Sequence, residues 1–372
     1  MDYIFILSVA VLVTYYCFTG VQFFSFFSIK NNTAVTLEHY PQVSVLIAAR
    51  NEEDNIERCL LALSKQTYPL NYIQIIVGDD ASDDRTAAVV LAFKQKHPAL
   101  NISIHAIKSA TAHLKGKANV LAQLFHLAEG ELVFITDADI AVSPQWIHGL
   151  VHVMQTNQVE VASGSTFVES DTGFGTFQAL EWIEAFGLLH AADCYHIAVT
   201  AVGNNMVVSK KAYDAVGGYE AIPFSVTEDL ELFLALQKNN FHHKQVLNSE
   251  VIAWTKPIDT FLTLLKQRKR WLKGVERTPW ISKLYMAVHA MIGLFIVAAL
   301  FYDLYLGCCL YLFSVLVHFC RIAWITKSVS VSFNPKWFIY ILLLDAYQVM
   351  MSTSILVYYL LPVGVDWKKR VY

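Results

Sequence analysis

The sequence contains little charge for its length. Only 16% of its 372 residues are charged, 55% are hydrophobic, and the mean hydropathy is +0.41. This composition excludes intrinsic disorder, which requires low hydrophobicity and high charge. An excess of positive charge is also absent, since 28 Lys and Arg oppose 31 Asp and Glu; this argues against a general nucleic-acid-binding protein. Because soluble proteins of this length are rarely so apolar, we expect the apolar residues to be concentrated in membrane segments.

Cysteine pairs with metal-binding spacing are absent as well. None of the six cysteines forms a C-x-x-C pair, so neither a disulfide framework nor a thiolate zinc site is indicated. Four of them (Cys17, Cys308, Cys309 and Cys320) lie in apolar runs. We therefore predict that the cysteines are small buried apolar side chains in a reducing compartment.

No charged residue stands between Asp2 and Lys30. The stretch 3–28 is long enough to span a bilayer core of about 30 Å. The competing interpretation is a cleaved signal peptide, but no basic residue precedes the run and no small-x-small cleavage site follows it. We predict that residues 1–30 form a retained N-terminal membrane anchor.

A second apolar region occupies residues 282–363. Two spans fit between residues 284 and 326, with Asp303 in the turn between them. A third run, 337–363, contains Asp345 and Gln348, and a basic tail at 364–372 follows it. This region therefore holds two or three spans, which gives three or four in the whole chain. If the tail is cytoplasmic, as we expect, one C-terminal run either is interfacial or re-entrant or folds back as a hairpin. Because Lys30 and the charged central block follow the first span, the positive-inside rule predicts an integral protein of the cell or inner membrane whose central block faces the cytoplasm.

The central block, residues 41–257, alternates between short apolar runs and helical patterns. Strands are predicted at 43–49, 72–77, 101–107 and 131–136, and helices at 56–63 and 118–128. Asn51 is the predicted N-cap of the first helix. The side chains expected on the buried face of that helix are Ile56, Cys59, Leu60 and Leu63. This alternation predicts an α/β fold with a mainly parallel sheet covered on both faces, whose ligands bind beyond the carboxyl ends of the strands.

Acidic residues follow three of these strands. The first strand ends at Glu52, the second at Asp79 and Asp80, where another helix is expected to start, and the fourth at Asp137-Ala-Asp139. We expect these carboxylates to lie along one edge of the sheet. Two carboxylates one residue apart can bind a hard cation, whose other positions a diphosphate can fill. The alternative is a strand-ending turn with an Asx cap.

The second half of the block contains a predicted strand at 159–168 and helices at 174–192 and 228–237. Glu228 and Asp229 follow Thr227, and they either cap the last of these helices or supply a general base. A basic amphipathic helix is predicted within 258–281, with Ile258, Phe261, Leu262 and Leu265 on one face. We predict that it lies on the membrane surface; the alternative is a core-packed helix with a solvated basic end.

Taken together in this order, the motifs resemble the inverting glycosyltransferases of family 2, which have the nucleotide-sugar-binding GT-A fold. The matching segments are 45–52, 79–86, 115–118, 137–139, 203–205, 227–229 and Gln267-Arg-Lys-Arg-Trp271. The Q-x-x-R-W element is the most specific of them. The resemblance covers residues 41–276 and is closest to the membrane-embedded branch with cellulose, chitin and hyaluronan synthases and ceramide glucosyltransferase.

The resemblance implies a role for each matching donor-site residue. Glu52 and Asp79, with Asp80 nearby, are expected to hold the nucleoside, and Lys117 to approach the nucleotide. Asp137 and Asp139 are expected to hold Mg²⁺ or Mn²⁺ against the diphosphate, with Asp139 as the direct ligand. Where the family usually has glycine after the two aspartates, this chain has Ala81, which puts the local turn in doubt.

The resemblance also implies the catalytic roles. Asp229, with Glu228 beside it, is expected to be the general base that deprotonates the acceptor hydroxyl. Gln267, Arg270 and Trp271 are expected to close over donor and acceptor, with Arg270 stabilising the charge on the diphosphate. A single in-line displacement would invert the anomeric centre without a covalent sugar–enzyme intermediate.

The expected function is transfer of a sugar from a nucleotide-diphospho-sugar, UDP-linked, to a membrane-associated acceptor. The small number of spans favours a lipid acceptor, because polysaccharide synthases that secrete their product need more spans for a channel. Two alternatives stay open: a processive polysaccharide synthase, and a non-catalytic membrane scaffold that binds nucleotide sugars. The complete set of carboxylates argues against the scaffold.

Overall fold

The computed structural model describes residues 2–29, 37, 39–107, 109–110, 113–362, 364, 366–367 and 370–371. Lys30 and, in the predicted basic tail, Lys368 and Lys369 lie outside the described residues. The chain divides into two compact units. We call Asn31–Phe167 with Thr200–Lys256 the sheet unit, and Met1–Lys30, Val168–Val199 and Pro257–Tyr372 the helical unit. Part of the predicted 41–257 domain thus falls in the helical unit.

The elements alternate through the first half of the chain and become helical in the second half. The strands are β1 Val43–Ala49, β2 Ile73–Asp79, β3 Asn101–Ala106, β4 Leu132–Asp137, β5 Ala141–Val142, β6 Val161–Ser163, β7 Ser165–Val168, β8 Asn205–Ser209, β9 His243–Gln245, β10 Ile252–Thr255, β11 Asp366–Trp367 and β12 Arg370–Val371. The helices are α1 Asp2–Phe26, α2 Ile56–Ser64, α3 Thr86–Lys96, α4 Gly116–Leu127, α5 Trp146–Asn157, α6 Gly173–Cys194, α7 Lys210–Ala215, α8 Gly218–Ala221, α9 Glu228–Lys238, α10 Phe261–Val275, α11 Trp280–Tyr302, α12 Leu304–Ser328, α13 Trp337–Leu342 and α14 Leu344–Leu360.

The sheet unit is built on a seven-stranded sheet in the order β3-β2-β1-β4-β8-β6-β9. The first four strands are parallel, and β8 runs antiparallel to both of its neighbours. A second sheet has the order β5-β10-β7. The predicted α/β class with a mainly parallel sheet is therefore confirmed, and the four predicted strands of the first half all form.

Burial in the core follows the apolar pattern of the sequence. Nearly every side chain of β1 is buried, as expected for a central strand covered on both faces. The predicted buried face of α2 is confirmed in full, since Ile56, Cys59, Leu60 and Leu63 are all buried. Each such apolar side chain contributes about 1.5–3 kcal/mol when fully buried.

Three local predictions differ from the structure, and at two of them a tertiary contact overrides the local pattern. Asn51 is not an N-cap: its φ is +53°, its side-chain oxygen accepts from the Asp83 N–H at 3.0 Å, and α2 begins only after Asn55. The helix expected at Asp79 begins at Thr86, after a loop. The predicted strand 159–168 is interrupted at Gly164, where an added Cβ would lie 2.4 Å from the Val251 carbonyl oxygen. That close approach divides the run between two sheets.

Among the described residues, three helices are long and apolar enough to cross a membrane: Val9–Phe26, Ser282–Tyr302 and Leu304–Ser328. The two helices predicted on either side of Asp303 form, and Asp303 caps α12 by accepting the Leu306 N–H at 2.9 Å. The third run, 337–363, is divided into α13 and α14, and neither helix is among those long and apolar enough to cross a membrane.

The exposure of the cysteines and of the amphipathic helix varies along the chain. All six cysteines are free, and Cys17, Cys308 and Cys309 are exposed on the helices and not buried as predicted. Of the predicted apolar face of α10, Phe261 is 38% and Leu262 is 55% exposed, whereas Leu265 is buried. The buried residues of this helix are Leu264, Leu265, Lys269 and Gly274.

Four ionisable side chains are buried together in the helical unit. His318 of α12 places Nδ1 2.6 Å from Glu184 of α6 and Nε2 3.2 Å from Asp345 of α14. Arg321 Nη1 lies 3.6 Å from the same Glu184 oxygen. Because an ionised carboxylate only accepts hydrogen bonds, both imidazole nitrogens donate, so His318 is an imidazolium. Two positive and two negative charges then balance, and this tetrad (Glu184, His318, Arg321, Asp345) joins three helices.

We expect His318→Leu to destabilise the protein by about 3–5 kcal/mol, because it removes the cation that both buried carboxylates share and leaves Arg321 alone in the tetrad to balance them. The exposed His126–Glu220 pair, 2.8 Å apart, supplies the matched control. Surface pairs contribute little, so His126→Leu should cause no resolvable loss. Denaturant unfolding of the detergent-solubilised protein measures both, and equal losses would contradict the assignment of the tetrad.

Candidate functional site

The carboxylates at the strand ends lie along one edge of the sheet. In the parallel register, Ala49 of β1 stands beside Asp79 of β2, and Ala48 stands beside Asp137 of β4. Both aspartates therefore end their strands at the same level, one on each side of β1. The edge predicted from the sequence is confirmed, and it forms because the carboxyl ends of parallel strands point the same way.

The loops after β1 and β2 are joined by hydrogen bonds. The backbone N–H of Asn51 donates to Ser82 Oγ at 3.0 Å, and that of Glu52 donates to Thr86 Oγ1 at 2.8 Å. Asp79 Oδ1 accepts from the Ser82 N–H at 3.3 Å. Glu52 and Asp80 are buried, whereas Asp79 is half-buried. The three residues predicted to hold the nucleoside thus stand in one cross-linked pair of loops.

Ala81 adopts a backbone conformation that favours glycine. Its φ is +54°, in the left-handed region that costs an L-residue roughly 1–2 kcal/mol. The turn is nevertheless retained, since the Asp80 N–H still donates to the Ala49 carbonyl at 2.8 Å. The alanine therefore adds strain at this turn without moving the two aspartates away from the strand end.

A buried amine joins the other acidic motifs. Lys117, in the first turn of α4, places Nζ 2.6 Å from Asp137 Oδ1 and 3.0 Å from Glu228 Oε1. Burial alone would lower the pKa of Lys117, but the carboxylates of Asp137, Glu228 and Asp229 outweigh it and raise the pKa. Lys117 is therefore charged, and it connects the end of β4 with the start of α9.

Asp229 is held by the backbone. Its Oδ2 accepts from the Gly203 N–H at 2.9 Å, and its Oδ1 accepts from its neighbour Leu230 N–H at 2.9 Å. Burial and the charge of Glu228 raise the pKa of Asp229, while Lys117 opposes the rise. A fixed carboxylate with a raised pKa is suited to accept a proton near neutral pH.

The predicted site residues fall in both units. The sheet unit brings Lys117, Asp137, Glu228 and Asp229 together, and we call these four residues the acidic cluster. Asp139 stands in the turn after β4, where its carbonyl accepts from Arg58 Nη1 at 3.0 Å. Gln267, Arg270 and Trp271 stand on α10 of the helical unit.

The motif 203–205 contains a residue whose role the sequence did not reveal. Gly203 lies so close to Asp229 that an added Cβ would stand 2.6 Å from Oδ2. Asn205 has a structural role, since its side chain accepts from Trp146 Nε1 at 2.7 Å and donates to the Val251 carbonyl at 3.0 Å. The sequence does show that Gly203 belongs to a matching motif. Nothing in the sequence, however, indicates that Gly203 lies next to Asp229.

The residues present fit a hard divalent cation that also binds the substrate. Asp137 and Asp139 offer carboxylate oxygens, which Mg²⁺ and Mn²⁺ prefer. Within the described part of the chain, no group of three or more His, Cys, Asp or Glu side chains is arranged to hold a metal ion. A cation at these two aspartates would need further ligands besides them, and Mg²⁺ usually keeps several water molecules in its coordination shell.

Comparison with known proteins identifies related sequences and a related fold. A family model described as "Glycosyltransferase like family 2" matches residues 41–274. The chain is 27% identical over 252 residues to the beta-monoglucosyldiacylglycerol synthase of Synechocystis sp., covering 63% of this chain and 48% of that protein. It is 23% identical over 277 residues to the poly-beta-1,6-N-acetyl-D-glucosamine synthase of Staphylococcus epidermidis, covering 73% and 64%. The chain thus spans about half to two thirds of the length of these relatives.

Among solved structures, the chain is similar to a mannosyltransferase from Pyrobaculum calidifontis in complex with GDP-Man and Mn²⁺. The TM-score is 0.55 at 16% identity, and the match covers 95% of this chain and 99% of that one. At this identity the similarity establishes a shared fold.

We expect Gly203→Ala to destabilise the sheet unit by about 1–3 kcal/mol and to displace the Asp229 carboxylate, because the new methyl group would overlap it. Gly20 of α1 is the control, since an added Cβ there meets nothing within 4 Å. Thermal unfolding of both variants is the measurement. Equal stability of Gly203→Ala and Gly20→Ala would contradict the close approach.

Proposed function

The chain belongs to the glycosyltransferase-2-like family, and from this membership we propose that it is a membrane-bound, inverting glycosyltransferase. It moves a sugar from a nucleotide-diphospho-sugar, UDP-linked, to a membrane-associated lipid. The observation that carries the proposal is the acidic cluster, in which a fixed carboxylate with a raised pKa and a buried amine stand at the edge of a GT-A-like sheet.

The reaction we propose is a single displacement with Asp229 as the general base. Asp229 takes the proton of the acceptor hydroxyl, and the hydroxyl oxygen forms a bond to the anomeric carbon. The bond from that carbon to the diphosphate oxygen breaks, and its electron pair leaves with the nucleoside diphosphate. The two backbone N–H groups on Asp229 hold its oxygens in place and so orient the base.

The donor is proposed to bind along the carboxylate edge. Glu52, Asp79 and Asp80 hold the nucleoside, and Lys117 lies close to the nucleotide. Asp137 and Asp139 would hold Mg²⁺ or Mn²⁺, which supplies positive charge against the diphosphate. Gln267, Arg270 and Trp271 keep the roles that the resemblance implies, with Arg270 stabilising the charge that develops on the leaving group.

The membrane arrangement is proposed from the three spans and the distribution of charge. With the sheet unit in the cytoplasm, three crossings return the C-terminus to the same side, and α13 and α14 stay at that interface. The exposed Phe261 and Leu262 at the start of α10, with exposed Lys273 near its end, support a helix at the headgroup level. The domain limits predicted from the sequence (1–30, 41–257, 258–281, 282–363 and 364–372) stay a proposal.

A lipid acceptor is favoured by the similarity to beta-monoglucosyldiacylglycerol synthases and by the small number of spans. The similarity to poly-beta-1,6-N-acetyl-D-glucosamine synthases favours the second candidate, a processive polysaccharide synthase. A non-catalytic scaffold is disfavoured, because a binding protein has no need to keep a base and metal ligands together.

We expect the full-length protein in native-lipid vesicles to transfer a labelled sugar from one member of a panel of UDP- and GDP-sugars to lipid, with Mn²⁺ or Mg²⁺ present and EDTA abolishing transfer. Asp229→Asn should lower the rate about 10²–10⁴-fold, the usual contribution of a general base. Asp214→Asn, on the exposed surface of α7, is the matched control.

Three other outcomes of this experiment would each contradict a part of the proposal. Full activity of Asp229→Asn would show that the base is assigned wrongly. Long polymers on a gel, in place of single-sugar glycolipids, would favour the processive synthase. Absence of nucleotide release with every donor would revive the scaffold.

The raised pKa of Asp229 predicts a pH dependence. The titratable groups that interact with it are Glu228, Lys117 and the phenol of Tyr219. A base works only when deprotonated, so activity should fall as the pH drops through this raised pKa. Glu228→Gln removes a charge that raises the pKa, so the acid limb of kcat/KM should move to lower pH. Glu129→Gln, at the surface, should leave the limb in place; a shift of the Glu228→Gln limb to higher pH would contradict the assignment.

A further inference from the structure

The two residues inside the Q-x-x-R-W motif make contacts that the motif itself does not explain. Lys269 is only 4% exposed, although it lies on a basic helix. Its Nζ donates to the carbonyl oxygens of Tyr358 and Leu361, at 3.0 Å each, and lies 5.1 Å from the centre of the Tyr358 ring. These carbonyls stand at the C-terminal end of α14.

The end of a helix is a favourable place for a buried ammonium group. The last carbonyls of an α-helix have no intrahelical donor, and the helix dipole gives this end a partial negative charge. Burying a lysine is costly unless its donors are used. Lys269 therefore satisfies two carbonyls of α14 and is in turn stabilised by them, which fixes α10 against α14.

A second contact supports the same packing. At the C-terminal end of α10, Glu276 accepts a hydrogen bond from the Tyr359 hydroxyl at 2.5 Å. Contacts to the last turn of α14 are thus made from two points on α10 that are seven residues apart. Two such points fix both the rotation and the position of α10 along its axis.

Arg268 connects α10 to a second helix, α6. Its Nη2 lies 3.1 Å from Glu181 Oε2 of α6, and Tyr347 of α14 donates to the same oxygen at 3.3 Å. The guanidinium carbon of Arg268 lies 4.7 Å from the centre of the Trp271 ring. Trp182 of α6 meets the same indole edge-on at 5.7 Å. Trp271 is therefore held by Arg268 and Trp182.

We propose that Arg268 and Lys269 are positioning residues that clamp the motif helix to α6 and α14 and thereby orient Gln267, Arg270 and Trp271. The inference rests on the proposed function, because it assigns those three residues to the donor. Because α10 is one continuous helix, any rotation about its axis moves all three together. Lys269 is buried, whereas Lys273, four residues further along the same helix, is exposed. Lys273 is therefore a suitable control.

The test compares the same substitution at two lysines of α10 in the full-length protein. Lys269→Met should speed amide exchange in residues 358–361 and in the motif, whereas Lys273→Met should not. With labelled donor, Lys269→Met should raise the donor KM about tenfold, because a small misplacement of binding groups is costly. Lys269→Arg, which can still donate to both carbonyls, should stay within about twofold of the parent.

A purely structural role predicts a different result. Loss of folded protein lowers kcat through the active fraction but leaves the donor KM unchanged, so a kcat loss alone in Lys269→Met would overturn the proposal. Equal KM values for Lys269→Met and Lys273→Met would overturn it as well. If Lys269→Met does not fold, Arg268→Lys decides: it keeps the charge but loses the planar contact with Trp271, and the proposal requires a several-fold rise in donor KM.

The experiment distinguishes failure of the proposed function from failure of the clamp. If the proposed function is wrong, the unsubstituted protein transfers no sugar from any donor, and amide exchange still shows whether Lys269 holds α10 to α14. Unchanged exchange in Lys269→Met, with transfer intact in the unsubstituted protein, would refute the clamp and leave the glycosyltransferase proposal standing.

Discussion

The sheet unit depends on one buried ammonium group, that of Lys117. It lies between Asp137 at the end of β4 and Glu228 at the start of α9, and its charge also reaches Asp229. These carboxylates come from segments far apart in the sequence and would repel one another in a buried site. Lys117 offsets that repulsion but leaves the pKa of Asp229 raised. The same contact therefore permits the fold and leaves a carboxylate that can accept a proton.

The helical unit contains two further buried cations that are stabilised by acceptors around them. His318 lies between two carboxylates from different helices, and Lys269 lies between two carbonyls at the end of α14. His318 joins acceptors from two other helices, and Lys269 of α10 joins two carbonyls of α14, so in each case a buried cation connects separate helices. Such contacts have strict geometry, whereas apolar packing between spans is tolerant of sliding. The buried cations therefore determine which helix faces are joined.

Much of the fold was predictable because it follows from local pattern. The apolar runs identify β1 and β4, and the parallel arrangement then places Asp79 and Asp137 at one edge without further information. The pairing of Lys117 with Glu228 could not be predicted, because it depends on where two helices begin relative to the sheet. The burial of Lys269 could not be predicted for a similar reason. Lysines of a basic helix are expected to be solvated, but Lys269 lies on the side of α10 that reaches the end of α14.

The helical unit is more than an anchor built from the two ends of the chain, because it also contains α6. This helix lies between two segments of the sheet unit in the sequence, yet it packs with the membrane helices. Trp182 contacts the motif helix at Trp271, and Glu184, about half a turn further along, contacts the tetrad at His318. A single helix therefore connects the residues that hold the spans together with the residues that orient the motif. The contacts that join the candidate spans and the contacts that hold the motif helix therefore share one rigid element, about half a turn apart.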